Sequence, residues 1–419
     1  MTIQESRLTN SLTVVTDRME TVETVSVGAW VDVGTRDEHP DVNGVSHLLE
    51  HMAFKGTERR DAYAIAAEIE AVGGHLNAYT SREHTAYYAK VLKDDLPLAI
   101  DLIGDILQHS VMDAEELARE QAVILQEIHQ AWDTPDDIVF DHFQETAFPD
   151  QAMGRPVLGR PEVVKSMNAE TIRAYMNRHY SAERMVIAAA GNLDHDVFTR
   201  LVEETFTALP TFEATAPEPG RYCGGDYREE RDLEQVHVVF GAEGIAFDHQ
   251  GFYAASVLST ILGGGMSSRL FQEIREKRGL AYVIYSFLSC YKDCGIFGVY
   301  CGTGAEEARG LLSLVLDEIE KVQNDVTEEE LDRARAQLKA SILMSLESTS
   351  ARCEQLARQM MVFGRPIHLD EVVQRIDAAD RSSVTDVARR VFAGRPSIAA
   401  IGPVSELCDY DTLSTRLSK

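Results

Sequence analysis

Apolar and polar residues follow the same order of strand-type and helix-type patterns twice along the chain. Residues 23–38, ETVSVGAWVDVGTRDE, alternate apolar and polar positions and predict a strand that ends at a turn. Residues 234–250, EQVHVVFGAEGIAFDHQ, predict its counterpart. Each half later contains an acidic helix start followed by a long amphipathic run, at residues 113–132 and 327–346. These patterns therefore predict an internal repeat.

The spacing between equivalent positions supports this repeat. Leu331 follows Leu117 by 214 residues in the two amphipathic runs. The halves also close on similar apolar strands, MVIAAAGNL at 185–193 and SIAAIGPVS at 397–405, with an offset of 211 residues between Ile187 and Ile398. Because the offset hardly changes, both halves are predicted to share one fold.

We therefore predict domains at residues 1–210 and 226–419, joined by a linker at 211–225 that is rich in Pro, Gly, Ala and Thr. The alternating strands favour a mixed or antiparallel sheet over a doubly wound parallel one. The predicted fold class is α+β, with two homologous domains that each pack helices mainly on one face of such a sheet. The GGG at 263–265 lacks the context of a phosphate-binding loop.

Composition and charge narrow the range of partners. The chain has 419 residues, 44% of them hydrophobic, and a net charge of −28, which argues against nucleic acid as a ligand. The sequence contains no run of about 18 apolar residues, so it does not predict a membrane span. The start, MTIQESRLTNSLTVV, has no signal-like pattern. We expect a cytoplasmic protein of bacterial type, or a mitochondrial matrix protein if this is the mature form of a precursor.

The segment GVSHLLEHMAFKG at 44–56 carries the candidate chemistry. On a helix, His47 and His51 lie one turn apart on one face and can present two imidazoles to one metal ion. Glu50 lies at the edge of that face, where it could take a proton from a metal-activated water. The order His-x-x-Glu-His is that of the inverzincins. The alternative is a helix that carries two histidines by chance.

The long helix of the first half supplies candidates for a further ligand. Glu120 and Glu127 are seven residues apart and share a face, so we assign Glu127 as the third ligand and Glu120 as the carboxylate that orients a histidine. The alternative is that both are solvated glutamates. The second half has Ala334 and Ser341 at the equivalent positions and no histidine in SVLSTILGG at 256–264. The repeated fold therefore does not require these side chains, which favours a metal site, although imidazole and carboxylate also accept cobalt or manganese.

The chain resembles the pitrilysin/insulinase family of zinc peptidases, in its processing-peptidase branch. The resemblance covers nearly the whole sequence and rests on four stretches: HLLEH at 47–51, LNAYTSREHTAYYAKV at 76–91, VILQEI with Glu127 76 residues after His51, and SSRLFQEIREKRGLAYVIYS at 267–286. It implies that His47, His51 and Glu127 bind one Zn2+ per chain, with Glu50 as general base.

The resemblance also implies how a peptide is held. Asn77, Ala78 and Tyr79 would lie on an exposed edge strand, to which an extended peptide adds by backbone hydrogen bonds. Arg275 and Tyr282 match the family's pair that contacts the substrate carbonyl and stabilises the tetrahedral oxyanion. Without the resemblance, Arg275 would be a solvated helix residue and Tyr282 a core aromatic.

The predicted function is a zinc metalloendopeptidase that cleaves extended peptides or unfolded presequence-like segments in an enclosed chamber. The net charge favours basic peptides. Single-chain members close a chamber with four such domains, so we expect a homodimer whose active site is completed in trans. The alternatives are a catalytically silent structural subunit, or an enzyme active only with a second, different chain. LGGGMSSRL at 262–270 is shorter than the glycine-rich loop of dedicated inactive partners, which makes such a partner less needed.

Overall fold

Two β-sheets organise the chain in the computed structural model, which describes residues 2–210 and 216–417. Residues 211–215 of the predicted linker lie outside the described residues. The strands in chain order are β1 (Thr2–Arg7), β2 (Thr13–Arg18), β3 (Thr24–Val31), β4 (His75–Thr80), β5 (Thr85–Leu92), β6 (Met185–Gly191), β7 (Gly225–Glu230), β8 (Gln235–Glu243), β9 (Ala281–Cys290), β10 (Gly295–Gly304) and β11 (Ser397–Gly402).

Helices fill most of the remaining chain. They are α1 (Val45–Ala53), α2 (Ala62–Ala71), α3 (Leu96–Gln108), α4 (Ala114–Trp132), α5 (Pro135–Ala147), α6 (Pro161–Ser166), α7 (Ala169–His179), α8 (His195–Thr205), α9 (Phe252–Gly263), α10 (Ala305–Val322), α11 (Glu328–Ser345), α12 (Thr349–Phe363), α13 (Leu369–Asp377), α14 (Arg381–Val391) and α15 (Tyr410–Leu417). A π-helical turn spans Phe271–Glu276. Within the described part of the chain, every helix is too short or too polar to cross a bilayer.

The two sheets repeat one topology. The first has the strand order β1-β2-β6-β3-β5-β4 and the second β7-β11-β8-β10-β9, so the second matches the first without β1. In each sheet one neighbouring pair is parallel, β2 with β6 and β7 with β11, and the other pairs are antiparallel. The predicted fold class, two homologous α+β domains with mixed sheets, is confirmed. Strands β4 and β9 each lie at the edge of a sheet.

The compact units are not continuous stretches of sequence. Of the residues that the structure describes, the first unit contains those within 1–129, 155–218 and 343–366, and the second contains those within 130–154, 219–342 and 367–419. Helix α12 therefore belongs to the unit of the first sheet and α5 to the unit of the second. The division at 1–210 and 226–419 was made from the repeat in the sequence and stays a prediction. The compact units are defined by packing instead, and each includes a helix from the opposite half of the sequence.

Both faces of the first sheet are covered. Val25 and Val27 of β3 point into a core shared with α1, α3 and α8, where Leu48, Ile103 and Phe198 are fully buried. Trp30 of the same strand and Val15 of β2 contribute to a core on the other face, where Leu356 and Met360 of α12 also lie. Since alternate residues of a strand point to opposite faces, α12 takes the side that α1 does not occupy.

The second sheet is covered in the same manner. Val238 and Phe240 of β8 lie in a core with α9, α10 and α14. Val239, between them in sequence, lies in a different core with Val139 and Phe143 of α5. One helix from the other half of the sequence therefore closes the outer face of each sheet.

Candidate metal centre

The helix that carries the two histidines begins at a glycine with an unusual backbone. Gly44, the N-cap of α1, has φ of +97°, a conformation that L side chains rarely adopt. A Cβ at this position would come within 2.8 Å of Gly159 Cα. The close approach fixes the start of α1 against the loop before α6, and the fully buried Leu48, Leu49 and Met52 hold the rest of the helix in the core.

Replacing Gly44 with alanine is expected to lower the free energy of unfolding by about 2–4 kcal/mol, from the positive φ together with the overlap at Gly159. Urea unfolding measures the loss. Gly73→Ala is the matched control, because Gly73 has φ of +69° and a Cβ added there would meet nothing within 4 Å; its loss is expected to be about 1 kcal/mol. Equal losses for the two variants would contradict a role for the close approach.

The four-residue spacing brings the two imidazoles together on one side of α1. The ring centroids of His47 and His51 are 4.6 Å apart, and His47 is only 9% exposed. Burial, with His51 nearby, lowers the pKa of His47 to about 4, so its imidazole is neutral near pH 7. Neutral imidazole is the form that binds metals.

The carboxylate of Glu127 on α4 lies close to both histidines. Its Oε2 lies 3.5 Å from His47 Nε2 and 3.7 Å from His51 Nε2. Ile124 and Ile128, its neighbours on α4, are buried and turn this face of the helix towards α1. Across residues 2–210 and 216–417, these three residues form the single cluster of at least three His, Cys, Asp or Glu side chains close enough to share one ion.

Glu120 lies beside His51. Its Oε2 is 2.9 Å from His51 Nδ1, which leaves His51 Nε2 facing Glu127. Its Oε1 is 2.7 Å from Lys55 Nζ. Burial alone would raise the pKa of the Glu120 carboxyl, but the hydrogen bonds from Lys55 and His51 outweigh it and hold the pKa below its usual value. The carboxylate therefore stays charged and can fix the orientation of the imidazole.

Glu50 has a different partner. Its Oε2 accepts a hydrogen bond of 2.6 Å from the Thr80 hydroxyl at the end of β4. Burial raises the pKa of Glu50, and the hydrogen bond from Thr80 opposes that rise. Neither Thr80 nor Lys55 is among the residues predicted from the sequence, although Lys55 follows His51 by one helical turn's spacing. That spacing could have identified Lys55 from the sequence, whereas no sequence pattern identified Thr80.

The predicted peptide-binding residues lie on β4, with β5 as its hydrogen-bonded neighbour in the sheet. Asn77 is exposed and Ala78 is buried. The Tyr79 hydroxyl donates to Glu354 Oε1 at 3.1 Å. In the other unit, Arg275 lies on the π-helical turn and Tyr282 on β9, the edge strand of the second sheet.

Arg275 and Tyr282 are neighbours. The guanidinium carbon of Arg275 is 4.7 Å from the ring centroid of Tyr282 and equally far from that of Phe271. Tyr282 is 74% exposed, so most of its surface is open to solvent. The cation–π contact gives the long Arg275 side chain a fixed place beside this phenol.

Comparison with known proteins agrees with this fold. Residues 13–161 match the family model described as insulinase (peptidase family M16), and residues 166–338 match the one described as the peptidase M16 inactive domain. The chain belongs to the insulinase family, peptidase family M16. The resemblance predicted from its motifs is confirmed.

Relatives from several organisms match almost the whole chain. A Streptomyces coelicolor protein named an uncharacterized zinc protease is 41% identical over 97% of this chain and 90% of its own. The uncharacterized zinc protease YmxG of Bacillus subtilis is 37% identical, over 94% and 97%. An Arabidopsis thaliana protein named a probable mitochondrial-processing peptidase subunit beta is 39% identical, over 98% and 81%.

Solved structures show the same architecture. The peptidase M16 inactive domain from Pseudomonas fluorescens superposes with a TM-score of 0.90 at 22% identity, over 97% of this chain and 99% of that one. A protease from Helicobacter pylori gives the same TM-score and identity, over 96% and 99%. Identities this low are evidence for the fold alone.

Proposed function

We propose that the protein is a zinc-dependent endopeptidase, with His47, His51 and Glu127 as ligands of one zinc ion per chain. The observation that carries the proposal is the convergence of His47 Nε2 and His51 Nε2 on one oxygen of Glu127. Two imidazoles and a carboxylate are a ligand set of catalytic zinc sites, which keep a fourth position open. The zinc protease names of the bacterial relatives support the same choice of metal.

The distances fit an ion of this size. Two ligand atoms about 2.1 Å from a tetrahedral ion lie about 3.4 Å from each other. The observed separations of 3.5 and 3.7 Å are close to that value. The chemistry that zinc supplies in such a site is Lewis-acid polarisation of the scissile carbonyl and of the attacking water.

Glu50 acts as the general base in this proposal. Its carboxylate lies one residue before His51 on α1 and is held by the Thr80 hydroxyl. It accepts a proton from the attacking water and returns it to the amine that leaves, so one residue serves both halves of the cleavage. Because Thr80 is on β4, the hydrogen bond also ties the base to the strand that is proposed to hold the substrate.

An extended peptide would add to the free edge of β4 along Asn77, Ala78 and Tyr79. Backbone pairing at a sheet edge gives affinity with little demand on sequence, as suits the cleavage of unfolded segments. The net charge of −28 favours basic peptides, such as presequence-like segments. The proposed location is the bacterial cytoplasm, or the mitochondrial matrix for a mature form.

Arg275 and Tyr282 supply the donors for the oxyanion. An arginine and a phenol beside a developing alkoxide stabilise the charge that forms there. We place them in trans: the pair on one protomer of a homodimer completes the metal centre of its partner, and together the two protomers provide the four domains of an enclosed chamber. The name of the plant relative, a subunit, motivates the alternative of a second, different chain.

A chelator experiment tests the proposed function. The purified protein is expected to cleave an unfolded, arginine-containing peptide, to lose that activity with a chelator and to regain it with one equivalent of zinc. Cleavage that survives complete removal of the metal would refute the assignment. Stoichiometric zinc without cleavage, for a chain that elutes as a dimer, would favour the catalytically silent alternative or the need for a different partner chain.

A further inference from the structure

A buried carboxylate outside α1 holds the first turn of that helix. Glu38 Oε2 accepts a hydrogen bond from Gly44 N, and Glu38 Oε1 accepts one from Ser46 N, each at 2.8 Å. Asn43 Nδ2 donates to Oε2 at 2.9 Å. The first N–H groups of a helix have no partner within the helix, and Gly44 has no side chain to satisfy them. Glu38, which precedes Gly44 by six residues, supplies the missing acceptor.

Glu38 is buried and hydrogen-bonded. Its residue is 3% exposed, and burial raises the pKa of its carboxyl to about 7 against the effect of its hydrogen bonds. Its neighbour Asp37 pairs with Arg184 at 2.8 Å, and Arg155 donates to the Glu38 main-chain oxygen. Burying a carboxylate costs free energy, so a capping side chain at the start of the helix itself would cost less. Asp194 of α8 and Asp380 of α14 are such caps, each on its own helix.

The second unit shows that the fold forms this helix without such a carboxylate. The equivalent helix, α9, begins after Gly251 and has no side-chain cap. Gly251 N donates instead to His249 Nδ1 at 2.9 Å, and Glu243 at the end of the preceding strand is exposed. The buried carboxylate therefore accompanies the half that carries the histidines and is absent at this position in the half that does not.

We infer that Glu38 is a positioning residue for the metal centre. By accepting from two donors at the start of α1, it fixes the rotation and axial position of the helix that presents His47, Glu50 and His51. His47 directly follows Ser46, so a change in the first turn shifts the first ligand most directly. The inference rests on the proposed function, since it concerns the geometry of the same site.

The test is zinc affinity, measured by competition with a chromophoric chelator, together with the melting temperature of the metal-free protein. In Glu38→Gln an amide replaces one of the two accepting oxygens, so we expect zinc affinity to fall by about 10–100-fold. The metal-free protein is expected to melt within a few degrees of the parental temperature, because the removal of a buried charge and the loss of one hydrogen bond offset each other. A merely structural role would lower that temperature and leave zinc affinity unchanged.

Asp17→Asn is the matched control. Asp17 is also a buried carboxylate of the same unit, but it pairs with Arg352 of α12 on the outer face of the sheet. This variant is expected to lose stability and to keep the parental zinc affinity. If Glu38→Gln does not fold, Glu38→Asp keeps the charge on a shorter side chain that cannot reach both donors, and intermediate zinc affinity is expected.

The outcomes distinguish the positioning role of Glu38 from the proposed zinc-peptidase function. Zinc affinity within twofold of the parent in either Glu38 variant would overturn the positioning role and leave the proposed function intact. A parental protein that binds no zinc would overturn both. Equal weakening in the Glu38 and Asp17 variants would also overturn the positioning role, because the effect would then follow general destabilisation.

Discussion

Glu50→Gln is expected to reduce peptidase activity by about 10²–10⁴-fold while zinc remains bound, since a general base contributes on that scale. Glutamine keeps the shape of the side chain and can still accept the hydrogen bond from Thr80, but it cannot take a proton from water. The ligand atoms of His47, His51 and Glu127 are untouched. The measurements are kcat/KM on an unfolded peptide and the zinc content of the same sample.

Glu115→Gln provides the control for this variant. Glu115 lies on α4 with 84% of its side chain exposed and forms only a surface pair with Arg119. Its activity is expected to match the parent, because an exposed ion pair contributes little. A Glu50 variant that keeps more than a tenth of the parental activity with full zinc occupancy would exclude Glu50 as the base.

A mixture of His51→Ala and Tyr282→Phe chains is expected to regain activity that neither variant has alone. In a two-fold dimer with active sites completed in trans, each mixed dimer has one intact site, and random exchange restores about one quarter of the parental activity. His51→Ala removes a ligand. Tyr282→Phe removes an oxyanion donor, which typically costs about 10²–10³-fold in rate.

Subunit exchange has to be verified for this mixture, for example by a differently tagged partner that co-purifies. A mixture in which exchange is complete and activity equals the average of the two variants would refute the trans arrangement. A His47→Ala and His51→Ala mixture is the negative control, because both variants lack the metal centre and no combination of them contains an intact site.

The local part of the site was predictable from the sequence. His47 and His51 lie on one face of α1. The two-turn spacing predicts that Glu120 and Glu127 share a face of α4, and in the structure both contact the histidines. Helical periodicity carries such information because it fixes which side chains share a direction. The roles assigned to these residues stay proposals that the experiments above test.

The tertiary contacts around the site were not predictable in the same way. Thr80, Lys55 and Glu38 reach the two helices from a strand end, a helix end and an irregular loop. No periodic pattern relates Thr80 or Glu38 to its partner on α1, because the chain between them can take many paths. Lys55 has a helical spacing from His51, but that spacing does not reveal its contact with Glu120 on another helix. The repeat correctly predicted one topology for both sheets, and the strand alternation correctly predicted mixed sheets.

The sequence patterns also did not reveal which sheet α5 and α12 would cover. An amphipathic pattern shows that a helix buries one face, but it contains nothing about the surface that receives that face. Both helices pack in the unit of the opposite half. This pairing depends on the outer faces around Val15, Trp30 and Val239, which residues from several strands form together.

The exchange of α5 and α12 makes the two halves dependent on each other for folding. A fragment that ends at residue 210 would lack α12, so Val15, Trp30 and Val186 would face water. The complementary fragment would lack α5 and expose Val239, Ala399 and Ile401. Exposed sheet faces of this kind invite aggregation. We therefore expect that, during synthesis, the first half completes its fold only after the ribosome has made residues 349–363, so that the unit with the candidate metal centre matures near the end of translation.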